Sequence, residues 1–206
     1  MTRKVTLTAL SGIKLVEPGD DLGAISVAAL RDNSLVPKKG DVLVVAQKIV
    51  SKAEGRYVDV ATVRPSERAV ALAAEDGAER VLLLPADPDG SAKALRQRLL
   101  SVFGVGIGVI ISDSFGRPWR KGTVGVALGA AGLPAFVDLR GRPDLFGREL
   151  LVTETGFADE IAAAAGLLMG QADEAMPIVL VRGLTWSTPD LPVAALVRPA
   201  EHDLFR

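Results

Sequence analysis

Residues 110–122 read IISDSFGRPWRKG, an apolar run followed at once by acidic, hydroxyl and basic side chains. Together with the preceding VGIG, the apolar residues 109–111 predict a buried strand. Ligands commonly bind where the strands of an α/β sheet end, because side chains and loops are accessible there. We therefore expect the strand to end at Asp113 and Ser114, with both side chains at the edge of a sheet.

The residue types that follow this strand suit a cation bound together with a phosphorylated ligand. Asp113 and Ser114 offer hard oxygen ligands for Mg²⁺ or Mn²⁺, which take their remaining ligands from water and phosphate. Arg117 and Arg120 suit bidentate contacts with phosphate oxygens, and Lys121 adds a point charge. The alternative is a turn that begins at Asp113 and Ser114 with solvated arginines around it. Spacing alone leaves both interpretations open.

The rest of the chain alternates between strand and helix patterns. Strands are predicted within residues 4–10, 41–50, 80–90, 105–113, 122–141 and 176–184. Helices are predicted within residues 20–33, 64–77, 91–104 and 158–174, the third with Ser91 as its N-cap. The elements mix without a regular βαβ period, so the sequence predicts an α+β fold with mixed sheets and helices rather than a doubly wound sheet. We expect one domain over residues 1–206, with 187–206 as a surface tail or linker.

Composition excludes several classes of protein. The chain has 206 residues, 49% of them hydrophobic, and can bury a core of its own. Its net charge of −1 provides no field that favours nucleic acid or an anionic membrane as a partner. The lack of cysteine and the single histidine exclude thiolate and multi-histidine metal sites, so a metal would be held by oxygen. Because no apolar run is long enough for a membrane span or a signal peptide, we expect a cytoplasmic protein.

Two other polar segments, residues 47–56 and 169–177, are candidates for ligand contacts. The first, QKIVSKAEGR, is either a second phosphate-binding loop or a solvated strand end, since it lacks the glycine spacing of a P-loop. The second, MGQADEAMP, is in its simplest interpretation the end of a helix. Near the N-terminus, Gly12 would let the backbone approach a ligand, whereas His202 is predicted to be solvated.

Several stretches, taken together and in order, resemble the coenzyme F420-0:L-glutamate ligase family, the F420 gamma-glutamyl ligases. They cover most of the chain, at residues 10–13 (LSGI), 41–56, 82–92, 111–150, 158–183 and 196–206. The most specific motifs are SDSFGRPWR and LLMGQADE. This collinear match predicts membership of the family.

The resemblance implies a GTP- and divalent-metal-dependent ligase that adds L-glutamate to coenzyme F420-0, a deazaflavin, in coenzyme F420 biosynthesis. It implies an α+β fold, unlike the common nucleotide-binding folds, in an intertwined homodimer. Asp113, Ser114 and Gln171 match the family's metal-ligand positions, for Mg²⁺ or Mn²⁺. With Arg117 added for its charge, the GTP-binding positions are Leu10, Ser11, Gly12, Ile13, Gln47, Lys52, Arg117, Met169, Gly170, Ala172, Asp173, Glu174, Ala175 and Met176. The resemblance assigns no catalytic residue.

One departure separates the chain from the family pattern. Near residues 75–80, where DGAER follows RPSERAVALAAE, roughly forty residues of the family are absent, a gap short enough for the chain to reconnect. In the family this segment holds an aspartate that binds metal and an asparagine that contacts nucleotide. The alternative to an active ligase is therefore a nucleotide-binding pseudoenzyme or scaffold subunit of the same fold.

The glycine-rich stretch from Gly122 to Gly141 bears on packing and assembly. Its glycines allow close backbone approach. Its apolar residues exceed what a small chain easily covers, so we expect a homodimer with a hydrophobic interface.

Overall fold

The computed structural model describes residues 2–62 and 80–202. The strands in these ranges are β1 (Thr6–Ala9), β2 (Val42–Ala46), β3 (Tyr57–Asp59), β4 (Arg80–Leu82), β5 (Gly108–Arg117), β6 (Arg120–Ala131), β7 (Val137–Asp138), β8 (Glu154–Thr155) and β9 (Ile178–Arg182). The α-helices are α1 (Leu22–Asp32), α2 (Gln47–Ala53), α3 (Pro88–Phe103) and α4 (Phe157–Met169). Short 3₁₀ helices span Val60–Thr62, Val193–Leu196 and Ala200–His202. The helix predicted over 64–77 lies outside the described residues.

The main sheet has the strand order β1-β9-β2-β5-β6. Strands β2 and β5 run parallel, and the other neighbours are antiparallel. Two small antiparallel sheets, β3-β4 and β7-β8, accompany it. A mixed sheet with helices confirms the predicted α+β class.

Hydrophobic cores lie on both faces of the main sheet because its central strands alternate their apolar side chains. Leu43, Val45 and Ile111 pack with α1, α2 and α3 in one core. Val44 and Ile110 pack with α4 in the other. Strands that are buried on both faces read as continuous apolar runs, which is how they were recognisable in the sequence.

Helix α3 begins earlier than predicted. Its N-cap is Asp87, whose carboxylate accepts a hydrogen bond from the Gly90 amide at 2.9 Å, and Pro88 occupies the first turn. The prediction of Ser91 as N-cap is therefore wrong. Pro88 lacks the N–H that a helix start leaves unpaired, so it favours this earlier start. The Ser91 hydroxyl instead donates to the Glu54 carboxylate at 2.7 Å.

The strand predicted over residues 41–50 is too long, because Gln47–Ala53 forms α2. The apolar residues Ile49 and Val50 face the core, while Lys48 and Lys52, four positions apart, lie on the other side. This is helical spacing. Residues 47–56 are therefore neither a strand end nor a loop alone.

Strand β5 does not end at Asp113 and Ser114, as the sequence suggested, but runs on to Arg117 and pairs with β6. Pro118 and Trp119 form the connection, with Trp119 at a φ of 57°. The turn thus lies four residues beyond Ser114, so the interpretation of Asp113 and Ser114 as turn residues is also wrong.

The outer edge of β6 is closed by side chains from the first turns of two helices. The Ala127 amide donates to Asp159 of α4, and the Ala130 amide donates to Asp89 of α3, both at 2.8 Å. An edge strand leaves such N–H groups unpaired, and these carboxylates satisfy them. They fix both helices relative to the sheet.

Glycines allow these helices to approach β6 closely, as predicted. A side chain at Gly129 would collide with the backbone of Pro88, and one at Gly125 would meet the Ala162 carbonyl. Close approach of sheet and helix thus depends on these two positions.

We expect Gly129→Ala to lower the free energy of unfolding by about 2–3 kcal/mol, because the added methyl group overpacks the contact with α3. Urea denaturation of the two proteins measures the difference. The matched control is Gly166→Ala within α4, where a methyl group meets open space and improves helix propensity. An equal decrease in the free energy of unfolding in both variants would contradict the packing argument.

Candidate functional site

A cavity opens at the edge of the main sheet where β2 stops and β5 continues. The last residue of β2, Ala46, lies opposite Ser112 of β5. Beyond this point β5 keeps β6 as its neighbour on one side only. The Ala46 amide donates to the Pro177 carbonyl at 2.8 Å, which brings the segment before β9 to the same edge. Three distant segments therefore meet here.

The cavity has a volume of about 230 Å³ and lies between α2 and the C-terminal end of α4. The predicted site residues that line it are Gln47, Lys52, Asp113, Ser114, Met169, Gly170, Gln171, Ala172 and Met176. The other lining residues are Ala46, Lys48, Ile49, Ser112, Gly125, Ala162, Gly166 and Pro177. The structure thus brings all three predicted metal-binding positions, Asp113, Ser114 and Gln171, into one cavity.

Asp113 and Ser114 are partly buried in the middle of β5. The Ser114 amide donates to Asp113 Oδ1 at 2.8 Å. Asp113 forms no ion pair with any residue in the described ranges. Its carboxylate is therefore the anionic group of the cavity that is available to a cation.

Lys48 and Lys52 supply positive charge on the α2 side of the cavity. Neither makes an ion pair within residues 2–62 and 80–202. An anion that enters the cavity would meet two uncompensated ammonium groups. Lys48 lies in the segment 47–56 that the sequence offered as a possible phosphate-binding loop, but it is not among the GTP-binding positions that the family resemblance assigned. Its spacing of four from Lys52 places both lysines on one side of the helix.

Gln47 stabilises α2 at the wall of the cavity. Its side chain is 6% exposed, and its amide donates to the buried Ser51 hydroxyl at 2.6 Å. This bond ties the first turn of α2 to the second. The remaining amide oxygen is the part of Gln47 that is left for a ligand.

The loop after α4 is organised by Glu174. Its carboxylate accepts a hydrogen bond from the Ala172 amide at 2.8 Å. This bond, with further backbone bonds from Glu174 itself and Gln171, holds the pKa of Glu174 below its ordinary value. Gly170 has a φ of 69°, and a side chain there would collide with the Glu174 carboxylate. The arrangement presents Gln171 and Ala172 to the cavity.

Residues 10–13 lie beside the cavity rather than in its lining. The Leu10 amide donates to the Ile178 carbonyl at 2.9 Å, and the Leu10 side chain is fully buried. The Ser11 hydroxyl is held by Asn33 at 3.1 Å. Gly12 has a φ of 77° and open space around it, so the backbone of this segment is accessible from the sheet edge.

The remaining predicted GTP-binding residues do not line the cavity. Arg117 is exposed near the end of the β5–β6 hairpin, where its guanidinium donates to the Lys121 carbonyl at 3.4 Å. Asp173, Glu174 and Ala175 form the outer part of the loop after α4. Their predicted contacts with GTP stay predictions.

The donor set fits a hard cation. Asp113 provides a carboxylate, Ser114 a hydroxyl and Gln171 an amide oxygen, all on the lining of one cavity. Within the described ranges no three His, Cys, Asp or Glu side chains are grouped for metal binding. A cation here would therefore take several ligands from water or phosphate, as Mg²⁺ and Mn²⁺ commonly do.

Fold and cavity together define a class of protein: an α+β domain whose main sheet has, at one edge, a cavity lined by two lysines and by carboxylate, hydroxyl and amide oxygens. Comparison with known proteins is more specific. The family model described as F420-0:Gamma-glutamyl ligase matches residues 12–80 and 73–183. The chain belongs to the F420-0:gamma-glutamyl ligase family.

Curated relatives match over nearly their whole length. The protein from Methanothermobacter thermautotrophicus, named coenzyme F420:L-glutamate ligase, is 36% identical over 98% of this chain and 99% of its own. A relative of the same name from Archaeoglobus fulgidus is 37% identical over 98% of this chain and 97% of its own. One from Methanopyrus kandleri is 37% identical over 93% of each chain.

The comparisons also bear on the shortened segment. The family model matches in two pieces that meet at residues 73–80. The alignment with the Methanothermobacter relative spans 249 positions, more than the 206 residues of this chain, so over 40 positions have no counterpart here. These lengths agree with the internal deletion predicted near residues 75–80, of which 75–79 lie outside the described residues.

Proposed function

We propose that this chain joins L-glutamate to coenzyme F420-0 in a reaction driven by GTP and assisted by Mg²⁺ or Mn²⁺. The observation that carries the proposal is the convergence of Lys52, Asp113 and Gln171, from three segments, on one cavity. The names of the relatives support the two substrates, since each is a coenzyme F420:L-glutamate ligase.

The reaction has two steps. The terminal carboxylate of coenzyme F420-0 attacks the γ-phosphorus of GTP, which forms an acyl phosphate and releases GDP. The amine of L-glutamate then attacks the acyl carbon, an amide bond forms, and inorganic phosphate leaves while the amine loses a proton. Both steps concentrate negative charge on phosphate oxygens, so preorganised cations lower both barriers.

The cavity residues divide this work by charge. Lys52 and Lys48 hold the phosphate oxygens and stabilise the charge that develops on them. Asp113, Ser114 and Gln171 would hold the divalent cation, which supplies Lewis-acid stabilisation of the transferred phosphoryl group. The backbone of residues 10–13 and of the loop at 169–176 would contact the nucleotide from either side of the cavity.

Mass spectrometry tests the proposal directly. Purified protein with GTP, Mn²⁺, L-glutamate and coenzyme F420-0 is expected to yield a product heavier by one glutamyl unit, with GDP formed in equal amount. Omission of GTP or Mn²⁺ should abolish the product. Full activity with ATP in place of GTP, or without a divalent cation, would refute the stated requirements.

A second candidate, a nucleotide-binding protein without catalysis, is favoured by one observation. More than 40 aligned positions of the Methanothermobacter relative are missing here. The family aspartate and asparagine predicted in that segment are missing with them. GTP binding with the expected metal dependence but without glutamyl transfer or GDP release would establish this alternative.

We expect Lys52→Ala to weaken GTP binding by about 1.5–3 kcal/mol, the range for a charge-assisted hydrogen bond, with little effect on folding. Calorimetric titration measures the affinity, and a thermal melt measures stability. Lys93→Ala, which removes an exposed lysine from a different cavity, is the matched control. Unchanged affinity with lowered stability would mark Lys52 as structural.

We further propose that the protein is a homodimer, as the family resemblance implies. The stretch from Gly122 to Gly141 contributes less free apolar surface than expected, since Ala127, Ala130 and Leu133 are buried within the chain. Exposed apolar side chains instead concentrate in residues 139–153, which connect β7 to β8 and are called the excursion below. There Leu145, Phe146, Leu151 and Val152 are 75–93% exposed. Such a cluster suits a protein interface.

Light scattering tests the dimer, which should persist at micromolar concentration. The double variant Leu145→Glu/Leu151→Glu is expected to shift it to monomer, because charge is costly in a desolvated interface. Leu167→Glu, at an equally exposed position of α4, serves as control and should remain dimeric. A stable wild-type monomer would exclude the dimer.

A further inference from the structure

A second cavity, of about 430 Å³, lies at the other end of α4. Phe157, the first residue of α4, belongs to its lining, whereas Met169, the last, belongs to the first cavity. At 1.5 Å per residue the helix separates the two by about 18 Å. The second cavity is therefore a separate place on the protein.

Two arginines, Arg3 and Arg142, line this cavity. Arg3 precedes β1, and the pairing of β1 with β9 brings the segment around residue 3 beside Thr185. Arg142 sits in the excursion after β7, where the Leu150 amide donates to its carbonyl at 2.9 Å. Two arginines from segments far apart in the sequence thus line one cavity.

Neither guanidinium has a carboxylate partner in the part of the chain that the structure describes. Other arginines do: Arg140 pairs with Asp138 at 2.6 Å and Arg148 with Asp144 at 3.1 Å. Among the described residues, no Asp or Glu lines the cavity. Two arginines that share a cavity without a counter-ion favour an anion with several oxygens, because a guanidinium binds carboxylate or phosphate through two hydrogen bonds.

The remaining wall combines hydroxyl groups with an aromatic surface. Thr185, Ser187 and Thr188 contribute the hydroxyls, which are further donors for an anion. Trp186 packs against Phe157, with ring centroids 6.0 Å apart and planes inclined by 58°. This contact holds the Trp186 ring at the cavity, where it provides a flat apolar surface for stacking.

We propose that this cavity binds an aromatic acid, with its phosphate or carboxylate group between Arg3 and Arg142 and its ring against Trp186. This proposal does not depend on the ligase reaction proposed above, because the two cavities have different lining residues. An anion is favoured because the described lining residues include arginines but no carboxylate. An aromatic ring is favoured because the Phe157–Trp186 contact holds a flat apolar surface at the cavity.

Phenyl phosphate is a suitable probe, with inorganic phosphate as the comparison. Calorimetric titration of the full chain should show phenyl phosphate binding more tightly than inorganic phosphate. In a Trp119→Gly background Trp186 is the sole tryptophan, and glycine suits the positive φ at position 119. Phenyl phosphate is then expected to change the tryptophan fluorescence, whereas inorganic phosphate leaves it nearly unchanged.

Arginine variants identify the site. Arg142→Ala and Arg3→Ala are each expected to weaken phenyl phosphate binding at least about tenfold, as the loss of a charge-assisted contact requires. Arg148→Ala, on the same excursion but outside the cavity, should bind as the parent does. Three results would each overturn the proposal: no binding at millimolar phenyl phosphate, equal weakening by Arg148→Ala, or loss of binding in Lys52→Ala, which would place the probe in the first cavity.

Discussion

Asp113→Asn is expected to lower the metal-dependent affinity for GTP by at least about tenfold, because it removes the only carboxylate that residues 2–62 and 80–202 contribute to the lining of the first cavity. The asparagine keeps the shape of the side chain. Its amide oxygen can still accept the hydrogen bond that Ser114 donates to Asp113 Oδ1. What disappears is the negative charge that favours a hard dication over water.

The stability of the metal-free Asp113→Asn variant should rise or stay the same, in contrast to its affinity for GTP. Without a cation, a partly buried carboxylate costs the fold some solvation energy, so the metal-free variant is expected to be no less stable than the parent. Calorimetric GTP titrations with and without Mn²⁺, beside thermal melts of metal-free protein, measure both quantities. A structural Asp113 would produce a lower melting temperature with GTP affinity retained.

A matched control separates charge loss in the cavity from charge loss elsewhere. Asp138→Asn removes an exposed carboxylate paired with Arg140, outside the first cavity. It should leave the Mn²⁺ dependence of GTP binding unchanged. If Asp113→Asn behaves as this control does, the assignment of Asp113 as a metal ligand is wrong.

Arg182→Met is expected to lower the free energy of unfolding by about 3–5 kcal/mol, the range for breaking a buried ion pair by removal of one partner. Asp41 is 1% exposed, and Arg182 donates to both its oxygens, at 2.9 and 2.6 Å. These hydrogen bonds raise the pKa of Arg182 further above its ordinary value. The pair joins the start of β2 to the end of β9, and its loss would leave a buried charge without a counter-ion.

Urea denaturation measures this loss, and Arg140→Met is the control. The Arg140–Asp138 pair has a similar distance but is exposed to solvent, so its loss should lower the free energy of unfolding far less than the loss of Arg182 does. The double variant Asp41→Leu/Arg182→Met should recover much of the stability, because no unpaired charge remains. Equal effects of the two single substitutions would show that burial of Asp41 does not govern the energetics.

Local patterns were sufficient for most of the fold. The signals that predicted these elements each act within a few residues. They are the apolar runs of β2, β5 and β9, the helical spacing of α1 and the glycines of β6. The errors have local causes too. The apolar side chains of Ile49 and Val50 satisfy a strand and a helix equally well, and only their packing against the sheet decides for the helix.

The first cavity was predictable in part. Asp113 and Ser114 stood out as polar residues that follow an apolar run, and Lys52 and Gln171 entered through the family resemblance. Lys48 belonged to the candidate segment 47–56, but the family resemblance did not single it out. The second cavity had no sequence signal, since Arg3 and Arg142 lie 139 positions apart and line one cavity only in the folded chain.

The sequence by itself determined the α+β class and the oxygen-based chemistry of any metal site, because composition and short-range order suffice for both. Its motifs, through their resemblance to a known family, also indicated membership of the ligase family. Only the tertiary structure decided that β2 stops opposite Ser112, so that α2, β5 and the loop after α4 surround one cavity. It also decided that Asp41 is buried with Arg182. Strand pairing and burial depend on contacts between residues far apart in the chain, and these arise only when the whole chain packs.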